Sequence, residues 1–306
     1  MAQVPLEDVF TMLDRARVSG ETISGFTHED IWQSYKALIQ TIIHEFNRKL
    51  SGFTVGPYAS FFQELILKRV ASGTPQDQEA DPFTIVTLNW DTIPDYLLNT
   101  LGTNYKAVLD YGCYDYDLNS ASDHIPSIRR KGAGLFNIKL LKLHGSLNWL
   151  LCSCCGRLFS VNQSGTTPPI APLQSKCSFC HGDVELENVI ITPTLIKNLA
   201  QHQIKHIWHN AFLDLQDSSR IVFVGYSFPM ADFEFRYTLL KAITGNSLLK
   251  IRVILYPPDP CTGEKLWARN EIEERYSRFF GNLRDVDFKY MDSSDFMLDP
   301  QLIWDW

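Results

Sequence analysis

Two Cys-x-x-Cys pairs in the middle of a long chain constrain this sequence more than any other feature. Cys152-Ser-Cys-Cys155-Gly156 and Cys177-Ser-Phe-Cys180-His-Gly182 each set two thiols two residues apart, with a nearby glycine that permits the tight turn bringing backbone amides toward sulfur. Together they offer four soft ligands, the set a tetrahedral zinc ion takes, and the 21 residues between Cys155 and Cys177 run just past the usual interval of about 15–20. An ion held by four protein ligands has no open coordination position, so it organises structure and performs no chemistry. Cys154 and His181 are spare donors, and the two-residue spacing favours Cys152 over Cys154. Clustered redox-active or buried thiols and an iron–sulfur cluster are the competing readings.

The surroundings of the cysteines support metal over disulfides. Five of the seven cysteines fall within residues 152–180 of a 306-residue chain, and the N-terminal sequence MAQVPLEDVF has neither a basic nor an apolar leader segment. No run reaches the roughly 18–20 apolar residues of a membrane span, so a cytoplasmic protein without a membrane partner is expected. A formal net charge of −7 weighs against a general nucleic-acid binder, which needs a basic face to neutralise phosphates.

The hydrophobic period changes along the chain. Residues 6–18, 28–50 and 58–70 read as helices; in the second, Thr27 suits the N-cap, Glu29 and Asp30 suit the positive helix start, and Ile31, Tyr35, Leu38, Ile42 and Phe46 recur at helical spacing. From residue 83 a β-branched run, Phe83 to Thr87, leads to a helix near Asp91 with Pro94 in its first turn. Residues 103–134 read as an irregular loop region, 138–143 as a strand, 196–215 as a helix and 221–224 as a buried strand. A helix at 231–242, a strand at 251–256, a charged helix at 264–280 and a strand at 286–290 follow.

This alternation predicts an α/β fold with a Rossmann-like, doubly wound parallel sheet, an inserted four-cysteine zinc module and N-terminal helices. The expected divisions are a helical part over 1–82, a Rossmann-type domain over 83–150 and 190–292, the module over 151–189, and a tail over 293–306.

In doubly wound folds ligands bind beyond the carboxyl ends of the strands. Three polar sets stand at such ends: Thr87-Leu88-Asn89-Trp90-Asp91, Leu143-His144-Gly145-Ser146 and Gly225-Tyr226-Ser227. Singly, each has a plain alternative, since Asp91 can cap its helix, His144 can be a bonded core histidine and Gly225 can make a turn. Their order, TLNWD, then KLHGS, two cysteine pairs and VGYS, resembles the sirtuin family, specifically its broad bacterial sirtuin-like branch, over about residues 83–260.

The resemblance implies an NAD+ site. Thr87, Asn89 and Asp91 would shape its nicotinamide and ribose end, with Asn89 and Asp91 positioning a water. His144 would be the general base, and Gly225, Tyr226 and Ser227 would contact the adenosine ribose or phosphates. It also implies cleavage of the nicotinamide–ribose bond. NAD+ glycohydrolase chemistry in bacterial anti-phage defence is the first reading, a non-catalytic NAD-binding or regulatory module the second, and an NAD-dependent protein deacylase the third. The partners implied are NAD+ itself and a second copy of the chain or another component of a defence system.

Two departures stand against this pattern. The family's front segment, G-A-G-x-S followed by G-[IV]-P, receives the dinucleotide phosphates and is missing from the sequence. Val4-Pro5 followed by LEDVF looks like the tail of that segment. The expectation is therefore a chain that starts just after the loop, either by truncation or mis-started reading frame or as a degenerate relative, with neighbouring strand edges left open. Second, Val189 to Lys197 occupies the place of the family's F-G-E acceptor strand, and Leu88 stands where the deacylases carry glutamine, which favours water as acceptor.

Three further features read as structural. His202, His206 and His209 fall at i, i+4 and i+7 but lack the glutamate of a zincin motif, so a solvated helix face is expected. Tyr111 to Asp117 reads as a surface loop with a few packed tyrosines or as a pocket entrance, and Lys265 to Arg278 as a solvent face of mixed charge.

Overall fold

The computed structural model describes residues 6–23, 25–72, 82–119, 136–162, 167–180, 184–192, 194, 199, 201–255, 263–281, 283–291 and 293–304. Val4-Pro5, His181 and the start of the helix expected from 196 lie outside them. The chain divides into two compact units, Met1–Asn210 and Ala211–Trp306.

The first unit begins with helices α1 (Leu6–Ser19), α2 (His28–Leu50) and α3 (Gly56–Ala71). Thr27 caps α2 through a reciprocal box: the Asp30 amide donates to the Thr27 hydroxyl at 3.2 Å and the Thr27 amide donates to the Asp30 carboxylate at 2.8 Å. Such a cap is worth about 1 kcal/mol. The apolar stripe of α2 is buried with Phe10 of α1 against Leu147 and Ile190, each such side chain contributing roughly 1.5–3 kcal/mol by leaving water. Strand β1 (Ile85–Thr87), helix α4 (Ile93–Gly102), β2 (Ala107–Asp110), β3 (Asp115–Asp117), β4 (Phe136–Lys142), β5 (Gly145–Cys152), β6 (Leu158–Ser160) and β7 (Leu186–Ile190) follow, with α5 (His202–Asp217) after them.

These strands form two sheets. A parallel sheet has the order β1-β4-β2, with Leu140 and Leu141 of central β4 fully buried. The second, β3-β6-β5-β7, is mixed and carries the cysteines. Two expectations are corrected here. The region from 103, expected to be irregular, contains β2 and β3, and Asp115 is buried in β3 rather than on a surface loop, with Tyr111 packed as expected. The apolar run Ala107-Val108-Leu109 gains its strand by pairing in register with β4, a partner about 30 residues on that local periodicity does not reveal. Buried Asp115 is tolerated because the Ser160 hydroxyl donates to it at 2.6 Å.

The second unit holds β8 (Arg220–Val224), α6 (Phe233–Ile243), β9 (Lys250–Leu255), α7 (Gly263–Phe280), β10 (Val286–Tyr290) and α8 (Ser293–Leu298). Its parallel sheet has the order β10-β9-β8. Central β9 buries an arginine among apolar residues. Arg252 stays there because Asp287 of β10 accepts from it at 2.6 Å and the Leu302 carbonyl at 2.7 Å. The fold is thus α/β with parallel three-stranded sheets in both units. Among the described residues no helix is long and apolar enough to cross a membrane.

Candidate functional site

The cysteines converge as their spacing predicts. The ligand atoms of Cys152, Cys155, Cys177 and Cys180 all lie within 4.8 Å of one another, with Cys152 Sγ and Cys180 Sγ 3.6 Å apart and Cys155 Sγ and Cys177 Sγ 3.7 Å apart. Sulfurs bound to one tetrahedral ion at about 2.3 Å stand roughly 3.8 Å from each other, so the four fit a metal ion such as zinc. Cys152 ends β5, Gly156 turns the knuckle at φ 69°, and the Cys155 amide faces Cys152 Sγ at 3.5 Å. Cys154 is exposed and outside the group, which assigns the ligand to Cys152. Burial opposes ionisation at Cys155, but hydrogen bonds from the Arg157 amide and side chain and with Cys152 and Cys180 together bring the thiol down to about 6. At Cys177 and Cys180 burial and the neighbouring thiols push the other way.

The first two strand-end sets meet in the first unit. Register pairs Ile85 with Leu140 and Thr87 with Lys142, so Asn89 and His144 each lie two residues beyond the last paired position of adjacent parallel strands. The turn after β1 is built by the Thr87 hydroxyl, which accepts from the Asn89 amide at 3.1 Å, and by Asp91, whose carboxylate accepts from the Ile93 amide at 3.1 Å and starts α4. Asp91 is not the cap of α4: Thr92 holds that position without a side-chain cap bond, and the Asp91 carboxylate closes the turn just before the helix. Three bonds tie this turn to its surroundings: Leu143 N–H to the Thr87 carbonyl, Leu147 N–H to the Trp90 carbonyl, and Trp90 Nε1 to the Ile191 carbonyl, at 3.0, 3.0 and 3.1 Å. Asn89 is exposed, whereas His144 is buried at 7 % exposure and its carbonyl accepts from Ile191 N–H. Burial raises the Asp91 carboxyl above its ordinary range, against the pull of Lys142.

Beneath this turn is a polar network that composition and spacing did not single out. Lys142, fully buried at the last position of β4, donates to the Asp91 carbonyl at 2.5 Å and to the Asp95 carboxylate at 2.8 Å. Asp95 accepts from Tyr111 at 2.5 Å, and Asn148 reaches Tyr111, Asp95 and the Val161 carbonyl. Burial and the adjoining Asp95 raise the Tyr111 phenol well above its usual range. The signal in the sequence was a lysine inside the leucine-rich run KLLKL, continuous with buried positions on both sides.

The third set belongs to the second unit. Gly225, at φ 61°, turns the chain out of β8, and its amide donates to the Ile254 carbonyl at 3.0 Å. Tyr226 donates to Asp232 at 2.8 Å, and its carbonyl accepts from Tyr276 at 2.9 Å; the Ser227 carbonyl accepts from Arg275. Phe228 is fully buried at φ 53°, a backbone conformation L residues rarely hold. Gly225 and Ser227 are exposed on this braced loop. His202, His206 and His209 lie exposed on α5, and among the described residues the four cysteines are the one His/Cys/Asp/Glu group with metal-holding geometry.

No family model matches the sequence, and no curated protein matches it. Among solved structures the chain is similar to a Sir2 homologue S24A mutant in complex with ADP ribose, at a TM-score of 0.39 and 13% identity over 89% of this chain and 85% of that one. It is similar to the F159A mutant of a Sir2 homologue, also as an ADP ribose complex, at a TM-score of 0.38 with the same identity and coverage.

Proposed function

We propose that this chain binds NAD+ and hydrolyses its nicotinamide–ribose bond. The observation that carries the reading is the register of β1 and β4, by which the segments bearing Thr87, Asn89 and Asp91 and bearing His144 leave the carboxyl ends of adjacent parallel strands. That is where doubly wound folds bind ligands. The motif order that resembles the sirtuin family supplies the chemistry.

In the proposed reaction a water oxygen bonds to the ribose carbon as the carbon–nitrogen bond to nicotinamide breaks. The bonding pair goes to the pyridinium nitrogen and cancels its charge. The water proton leaves with His144 acting as general base, a task for which imidazole's ordinary pKa near 6.5 is suited. The products are nicotinamide, ADP-ribose and a proton. Exposed Asn89 orients the water, and the Asp91 carboxyl stabilises the cationic sugar in its ionised form. The resemblance assigns the adenosine ribose or phosphates to Gly225, Tyr226 and Ser227, the glycine permitting close backbone approach. The four cysteines would hold zinc, which would brace the end of β5, the strand that begins directly after His144. Defence against phage is the role that fits a hydrolase depleting NAD+, and a second copy or another defence component is its proposed partner.

The test is nicotinamide release from NAD+ by the purified chain beside Asn89→Ala and His144→Ala. Each variant is expected to lower kcat at least about 100-fold, the scale of losing an acid–base or orienting group. Equal release by all three proteins would remove these residues from the mechanism.

A further inference from the structure

We infer that the buried Lys142–Asp95 pair is the positioning element of the strand-end site, holding the turn after β1 in its working geometry through the carbonyl of Asp91. Its catalytic part rests on the function proposed above. A lysine fully removed from water is costly unless its donors are taken, and here two acceptors take them and bear on the turn. One is the backbone of Asp91 itself; the other is Asp95, one helical turn on in α4.

Lys142 also connects the two halves of the site through the main chain. It pairs with Thr87 at the end of β1 and lies two residues before His144. A shift of its ammonium group therefore displaces the Asn89–Asp91 turn relative to the imidazole. Asp95 is fixed in turn by Tyr111 at 2.5 Å, and Tyr111 packs edge-on against Trp149, its ring centroid 4.8 Å away. Trp149 belongs to β5, the strand that ends at the first cysteine ligand. A continuous set of contacts thus runs from the cysteine-bearing strand to the turn. None of these side chains needs to touch substrate, so they are positioning residues and not catalytic ones.

The test removes both charges together, because either change alone would strand its buried partner. Lys142→Met with Asp95→Asn keeps an acceptor oxygen for Tyr111. The double variant is expected to keep its metal content and to melt within a few degrees of the parent. Amide hydrogen exchange over residues 88–92 is expected to rise at least tenfold, with β8, β9 and β10 unchanged. In nicotinamide release kcat is expected to fall at least 30-fold with KM within about threefold.

Unchanged exchange over 88–92 in the folded double variant would overturn the inference. If that variant does not fold, exchange in the parent chain decides: the inference requires amides 89–93 to be protected like those of β1, and free exchange there overturns it. A parent chain that releases no nicotinamide would refute the proposed reaction, while the exchange result still judges the positioning role.

Discussion

Stripping metal from the four-cysteine cluster is expected to dismantle residues 145–190 while leaving the β8–β9–β10 sheet folded. Cys152 and Cys177 are themselves members of the module's small core, buried with Leu150, Phe159, Val161, Ala171 and Leu186. A core of that size does not hold four thiols within 4.8 Å by apolar contact alone. Structural zinc supplies apparent binding free energies of about 10–16 kcal/mol to zinc-finger peptides near neutral pH, enough to decide whether such a module folds. One ion per chain is expected by elemental analysis. Chelation, or Cys177→Ser, should open residues 145–190 to proteolysis. A metal-free chain with parent-like protection there would contradict a structural role.

The second large effect is expected from Gly145→Ala. Gly145 sits at φ 78°, and a Cβ built there would lie 2.1 Å from the Val189 carbonyl oxygen, a backbone atom with little room to retreat. Strand β5 leaves the His144 turn at this point and passes against β7, pairing Gly145 with Ile190. The added methyl brings both left-handed strain of about 1–2 kcal/mol and an overpacking cost of about 1–3 kcal/mol. That is a large fraction of the 5–15 kcal/mol by which domains are usually stable. Gly225→Ala is the control, since φ is 61° there but nothing lies within 4 Å of the new methyl. Only the backbone strain, about 1–2 kcal/mol, then applies. Urea unfolding should show a much larger drop in midpoint for Gly145→Ala than for Gly225→Ala, and equal drops would rule out the close approach.

What was legible in the sequence depended on the distance over which each feature is encoded. The cysteine knuckles, the Thr27 cap and the apolar runs of β8 and β9 are local patterns, and the structure has them close to the expected positions. The turn residues Thr87, Asn89, Asp91 and His144 were legible because polar groups following a strand stand out against its apolar run. Strands β2 and β3 were not, since β2 is fixed by register with β4 and β3 carries an aspartate whose partner, Ser160, is 45 residues away. Lys142 and Asp95 were hidden for the same reason. Asp95 looks like an ordinary surface charge, and Lys142, although it stands in an apolar run, shows no partner until the fold removes both from water and pairs them. The alternation of strands and helices predicted a parallel α/β fold, and the described strands have it, in the orders β1-β4-β2 and β10-β9-β8. Hydrophobic periodicity does not encode which strands become neighbours.

The central claim is that the turn after β1 and His144 form a site that uses water, not a peptide, to take the ribose of NAD+. The most direct measurement is a product analysis of NAD+ incubated with the metal-loaded chain, with and without an acetyl-lysine peptide. Nicotinamide and ADP-ribose are expected in equal amounts, at the same rate in both reactions, and His144→Ala should abolish them. Intact NAD+, or turnover only when the peptide is present, would contradict the claim.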